Sequence, residues 1–123
     1  MRDHRIWRRE LIDEIRTIAD VEELERLWSG TDPSSISSFA EEVAHVFDDY
    51  DLNGFITAGA LLGRLRSEQF DALVRFRDHF AAYIDQLSPT PLTSIERERI
   101  LGDPKWGQVT NAAREFIALI DEQ

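Results

Sequence analysis

The sequence contains no cysteine, which excludes disulfide scaffolds, zinc sites built from cysteine thiolates, and catalysis by a thiol. No apolar run approaches the roughly 20 residues that a membrane-spanning helix requires. The charged residues at positions 1–5 lead into an amphipathic, acid-containing segment, whereas a signal peptide would continue with an uninterrupted apolar core. These absences predict a cytoplasmic protein that does not associate with membranes.

Signatures of common enzyme classes are also missing. The six glycines are isolated at turns and helix ends, so there is no glycine-rich loop to cradle a phosphate. The serines between positions 34 and 38 lie in a turn and lack the Gly-x-Ser-x-Gly pattern of a nucleophile elbow. We therefore expect a non-enzymatic protein with no catalytic residues and no cofactor.

Acidic residues are concentrated in one part of the chain. The formal net charge is −10. Residues 17–60 carry ten acids and one arginine (−9), against +1 for residues 1–16 and −2 for residues 61–123. Such a charge balance disfavours nucleic acid as a partner and favours a basic protein. The arginines at positions 2, 5, 8 and 9 share their helix with acids, and we expect them to pair with the acidic region 20–51.

Apolar residues recur every three or four positions through most of the chain, the period of a helix with one buried face. The 123 residues, 42% of them apolar, suffice for one compact core. We predict a single all-α domain over 1–123, an irregular bundle of about five to seven helices. The predicted helices cover about residues 4–18, 20–30, 38–51, 57–65, 68–87, 95–101 and 104–120.

Capping residues set several of these boundaries. Asp20 with Glu23 and Ser38 with Glu41 have the spacing of helix N-termini, and Gly102-Asp103-Pro104 supplies a stop, a cap and a first-turn proline. Asn53-Gly54 predicts a break in the helical pattern, after which Thr57 would cap the fourth helix. Ser67 is predicted to cap the fifth.

The segment Asp49–Thr57 resembles the first nine positions of an EF-hand calcium loop. Residues with oxygen-bearing side chains occupy positions one, three and five, and glycine occupies position six. However, Ala60 stands at position twelve, where a bidentate glutamate should complete the calcium shell. A degenerate EF-hand-like calcium-binding or regulatory module is therefore kept as an alternative function.

His45 is the one histidine with carboxylates at helical spacing, since Glu41 and Asp49 lie four residues to either side. Glu42 and His45 also form a Glu-x-x-His pair, but a di-iron bundle requires a second such pair. We therefore predict no metal site. An enzyme that uses Glu42, His45 and Asp49 remains a third possibility.

The acidic stretch is interleaved with large aromatic residues, a combination suited to binding a basic cleft through charge and buried anchors. Trp28 and Phe55 could serve as such anchors or belong to the core. The predicted partner-binding residues are Asp32, Glu41, Glu42, Asp48, Asp49, Tyr50 and Asp51.

Three segments carry a family resemblance: Leu27-Trp28 through Ile36-Ser37-Ser38-Phe39, then Glu42 with Phe47–Asp51, and finally Leu101–Trp106. Together they resemble small acidic immunity proteins of bacterial toxin systems, including contact-dependent inhibition and related polymorphic toxins. The resemblance implies a cytoplasmic protein that neutralises one cognate toxin, often a nuclease, by occupying or distorting its active site. It predicts that the acidic region 32–51 docks on a basic toxin surface.

Overall fold

The structure is a computed structural model that describes residues 4–28, 39–62, 65–87 and 97–122. These residues are almost entirely helical and include no strand, which confirms the predicted all-α class. The third helix continues directly into a π-helical stretch, His45–Asp49, called here the π segment. The α-helices are α1 (His4–Ala19), α2 (Val21–Trp28), α3 (Phe39–Ala44), α4 (Leu52–Leu62), α5 (Ser67–Leu87), α6 (Arg97–Leu101) and α7 (Pro104–Asp121).

The core is centred on α5 and α7, which make the most extensive helix pair, and α1 packs against α7. Phe80 of α5 lies edge-on to Trp106 of α7, with 5.4 Å between ring centroids. It also contacts Phe76 and Phe47 edge-on. The apolar stripe predicted for the last helix is confirmed, because all seven of its residues are buried: Trp106, Val109, Ala112, Ala113, Phe116, Ile117 and Ile120.

The predicted start of α7 is confirmed. Asp103 is the N-cap, its side chain accepts a hydrogen bond from the Lys105 backbone N–H at 2.9 Å, and Pro104 occupies the first turn. The second carboxylate oxygen of Asp103 accepts a 3.0 Å hydrogen bond from the Tyr83 hydroxyl. One side chain therefore caps α7 and ties it to α5.

Of the predicted caps of α2 and α5, the first is confirmed and the second is wrong. Asp20 caps α2 as predicted, accepting a hydrogen bond from the Glu23 backbone N–H. Ser67 is not the cap of α5 but its first residue. Instead, the buried Gln69 accepts from the Arg66 backbone N–H at 3.0 Å and donates to the Leu119 carbonyl at 3.3 Å. The Ser38 cap lies outside the described residues.

The predicted break at Asn53-Gly54 is wrong, since both residues lie in the first turn of α4. The chain turns at Asp51 instead, whose φ of 45° is in the left-handed region that aspartate tolerates. Its side chain accepts a hydrogen bond from the Gly54 N–H at 3.1 Å and so caps α4. Thr57 is consequently inside the helix, where its hydroxyl donates to the Asn53 carbonyl.

The candidate site is positioned by contacts that α1 makes with the turn that follows the π segment. The Trp7 indole N–H donates to the Tyr50 carbonyl, and the Trp7 ring meets the buried Phe55 edge-on at 5.3 Å. The backbone N–H of Tyr50 closes the π segment by donating to the His45 carbonyl at 2.8 Å. These contacts place the π segment against the middle of α1.

The predicted pairing of the α1 arginines with the acidic region is not observed at Arg9. Exposed Arg9 has no carboxylate of the described residues at ion-pair distance, while Arg2 and the side chain of Arg5 lie outside the described part. Arg16 makes a two-pronged ion pair with Asp121 of α7, with both N–O distances 3.0 Å. This basic residue therefore ties α1 to α7.

Among the described helices, none combines the length and apolar content needed to cross a membrane.

Candidate functional site

Two carboxylates and one imidazole converge where α1 meets α3 and the π segment. Glu14 comes from α1, Glu42 from α3, and His45 is the first residue of the π segment. One possible ligand atom of each lies within 4.8 Å of the others. We call these three residues the Glu-Glu-His cluster.

The cluster forms because two acids occupy apolar stripes. On α1, Glu14 lies between Leu11 and Ile18 on the face that α1 buries, so its side chain is only 16% exposed. On α3, Glu42 precedes the buried Val46 by one helical turn, and Glu42 itself is 2% exposed. Residues four positions apart share a helix face, which explains why both acids point inward.

Glu42 is not one of the exposed acids with which the prediction had grouped it. Its neighbour Glu41 is exposed, while Glu42 turns into the protein. Successive helical residues differ in direction by about 100°, so two adjacent acids can have opposite environments. Glu42 cannot contact a partner directly in this conformation.

Burial raises the pKa of the Glu42 carboxyl to about 10, with a hydrogen bond to Glu14 and the negative charges of Glu14 and Glu41 as further causes. Glu42 is therefore protonated and neutral at pH 7. Its Oε1 atom is buried without a hydrogen-bond partner. An unsatisfied buried oxygen of this kind is rare in folded proteins and marks an incomplete environment.

His45 lies at the outer edge of the cluster, with its side chain 41% exposed. Its Nδ1 is 3.7 Å from Glu14 Oε1, and its Nε2 is 3.9 Å from Asp49 Oδ2. The imidazole therefore lies between an inner and an outer carboxylate. The predicted neighbour Asp49 is present, whereas Glu14, which was not among the predicted site residues, takes part in the cluster in place of Glu41.

A sequence signal for Glu14 existed. Trp7, Leu11, Glu14 and Ile18 follow the spacing of a buried helical stripe, and the acid interrupts it. Glu42 interrupts the stripe of α3 in the same way. An acid within an apolar stripe indicates a buried carboxyl, but only the packing of α1 against the π segment shows that the two acids meet.

Exposed acids form a second feature, which we call the acidic edge: Glu41, Asp48, Asp49 and Asp51. Tyr50 lies among them and is half-buried, and burial together with nearby carboxylates raises its hydroxyl pKa. Asp32, the remaining predicted partner-binding residue, lies outside the described residues. Four of the predicted acids are therefore exposed, three of them around the end of the π segment and Glu41 on α3.

One of the two candidate aromatic anchors, Phe55, does not lie at this edge. Phe55 is 4% exposed and belongs to the core. The side chain of Trp28 lies outside the described part of the chain. Tyr50 is therefore the aromatic side chain that the structure places at the acidic edge.

The backbone of the calcium-loop candidate is also different from that of an EF-hand. Positions 52–57 are helical, whereas an EF-hand needs them in a loop that wraps around the ion. Asp51 uses its side chain as a helix cap. The backbone of Asp49–Thr57 is therefore not that of an EF-hand calcium loop.

Comparison of the chain with protein-family models, with curated protein sequences and with solved structures finds no significant match.

Proposed function

We propose that this chain is a non-enzymatic binding protein whose acidic edge docks on a basic protein. One observation carries the proposal. Asp48, Asp49 and Asp51 are all exposed, and no lysine or arginine of the described residues lies at ion-pair distance from any of them. Their charges are therefore available to a partner.

The surrounding charge supports the same function. Ten acids and one arginine lie between positions 17 and 60, and although Glu42 is neutral at pH 7, the remaining acids give this part of the chain a field of negative sign. A field of one sign speeds the encounter with an oppositely charged surface and excludes partners of like charge. It also repels nucleic acids and anionic membranes.

Toxin neutralisation is the role that we propose for this binding, on the basis of the resemblance to bacterial immunity proteins. The carboxylates of the acidic edge would mimic the phosphates of a nucleic-acid backbone and occupy the basic active site of a nuclease-type toxin. The protein would act in the cytoplasm, where such a toxin meets its substrate.

The proposal predicts that a neighbouring reading frame encodes a toxin, and the test uses the C-terminal domain of that protein, purified and immobilised. The test variant carries Asp48→Asn, Asp49→Asn and Asp51→Asn, because asparagine retains the capping capacity of aspartate and its tolerance of positive φ. The matched control neutralises three exposed acids of α5 (Glu68→Gln, Asp71→Asn and Asp85→Asn). Both variants have the same net charge.

We expect the acidic-edge variant to associate about tenfold more slowly at low salt, since steering charges act mainly on the association rate. The control should associate at nearly the wild-type rate. The difference between the two variants should shrink at 1 M salt, where the Debye length is about 3 Å. Equal rates for both variants, or no binding by the folded wild type, would contradict the proposal.

A further inference from the structure

We propose that Glu14, Glu42 and His45 bind one divalent first-row transition-metal ion. The three ligands lie outside the acidic edge, which shares only Asp49 with the surroundings of the site, and the proposal does not depend on the proposed binding function. Two carboxylates and one imidazole are a donor set suited to Zn²⁺, Co²⁺, Mn²⁺ and Fe²⁺.

The geometry supports a single shared ion. The three ligand atoms lie within 4.8 Å of one another, and neighbouring ligands around a tetrahedral Zn²⁺ are about 3.4 Å apart for metal–ligand distances near 2.1 Å. Side-chain rotations that move these atoms by roughly an ångström would bring them to this spacing and leave the fourth position to water. The ligands come from α1 and from the α3–π unit, so the ion would join two elements that already pack together.

The unpartnered oxygen of Glu42 supports the metal site independently of the distances between the ligand atoms. Glu42 is 2% exposed, and its Oε1 is buried with no hydrogen-bond partner. A buried acceptor of this kind lacks the hydrogen bond that buried polar groups normally have in place of water. A cation beside Glu14 and His45 would supply a partner for this oxygen and would replace the proton that Glu42 otherwise carries, which is released on binding.

The surroundings of His45 fit a metal ligand. Its Nδ1 faces Glu14, and its Nε2 lies 3.9 Å from the Asp49 carboxylate. Ligand histidines commonly donate their second ring N–H to a carboxylate that orients the ring. We assign Nδ1 as the metal ligand and Asp49 as the orienting residue. The 41% exposure of His45 provides the route by which the ion enters.

The experiment uses the full chain after dialysis against EDTA and then into metal-free buffer. Co²⁺ is titrated in while its visible ligand-field absorption and the heat of binding are recorded, and Zn²⁺ is then added as a competitor. We expect one Co²⁺ per chain, displaced by one Zn²⁺. A hundredfold excess of Zn²⁺ over its dissociation constant should raise the Tm by about 10 °C.

Variants separate this site from adventitious binding. Glu14→Gln, Glu42→Gln and His45→Gln should each abolish the absorption or weaken binding at least tenfold. Asp49→Asn should retain the one-to-one stoichiometry and weaken binding by about 10–100-fold. His79→Gln removes an exposed histidine of α5 and should leave binding unchanged.

Circular dichroism establishes that each variant is folded before it is titrated. Glu42→Gln is the decisive variant because glutamine has nearly the shape of a protonated glutamate and can keep the hydrogen bond to Glu14. Absence of saturable binding of either metal by wild type would overturn the proposal. So would wild-type affinity in a folded Glu42→Gln variant, or loss of binding in His79→Gln.

Discussion

Replacement of Glu42 by glutamine should stabilise the metal-free protein at neutral pH. Burial raises the Glu42 pKa from its ordinary 4.5 to about 10. Between these values the folded protein holds a proton that the unfolded chain releases, so the contribution of Glu42 to stability falls as pH rises. It is fully present below pH 4.5 and continues to decline until the folded-state pKa is passed.

The size of the effect follows from this pKa shift. Each pH unit between the two pKa values costs about 1.4 kcal/mol of unfolding free energy. From pH 5 to pH 7 the wild-type protein should therefore lose about 2.5 kcal/mol relative to Glu42→Gln, which has no proton to release. Glu14 of α1 and His45 lie beside Glu42, the charge of the exposed Glu41 also acts on it, and all three residues are unchanged in the variant.

The assay is urea denaturation of both proteins in EDTA at pH 5, 6 and 7, followed by far-ultraviolet circular dichroism. Glu22→Gln, on the exposed face of α2, is the control for loss of one formal charge and should change stability by less than about 0.5 kcal/mol. The reasoning is refuted if Glu42→Gln has no stability advantage at pH 7, or if its advantage is the same at pH 5 and pH 7.

Two further predictions concern helix starts, and both are measured by urea denaturation. Gly107→Ala should stabilise by about 0.5–1 kcal/mol, since a Cβ there meets nothing within 4 Å. Gly54→Ala should show no such gain, because its Cβ would lie 2.2 Å from Asp51 Oδ2 and displace the cap of α4. Asp103→Ala should cost about 1–3 kcal/mol, more than Tyr83→Phe, because it removes the α7 cap and the Tyr83 hydrogen bond together. Equal losses for Asp103→Ala and Tyr83→Phe would show that the cap contributes nothing.

The long helices could be predicted because their signals are local and agree with one another. The apolar stripe of α7 begins directly after Asp103-Pro104, so the cap, the proline and the burial pattern all indicate the same boundary. α5 has an equally clear stripe. Its first residue was misassigned because the capping interaction comes from Gln69, whose position depends on a contact with Leu119 of α7.

The turn before α4 could not be predicted from residue types alone. Asn-Gly is a strong signal for positive φ, and the chain places its positive φ at Asp51 instead. Gly54 does not supply a positive φ. It matters because it has no side chain, which leaves room for the Asp51 carboxylate. The same residues are compatible with both arrangements, and the packing of Leu52 and Phe55 into the core favours the helical one.

The acids of the α3–π unit fall into two groups with opposite physical roles, and composition does not distinguish them. Glu41, Asp48 and Asp49 are exposed and contribute to the surface field, while Glu42 is buried and neutral at pH 7. Glu42 therefore adds nothing to the attraction of a basic partner. Leucine at this position would continue the apolar stripe and avoid burying a carboxyl, so fold stability alone does not account for the glutamate. The pairing of Glu42 with Glu14 and His45 does account for it, because a buried carboxyl beside two further ligands is costly without a cation and favourable with one.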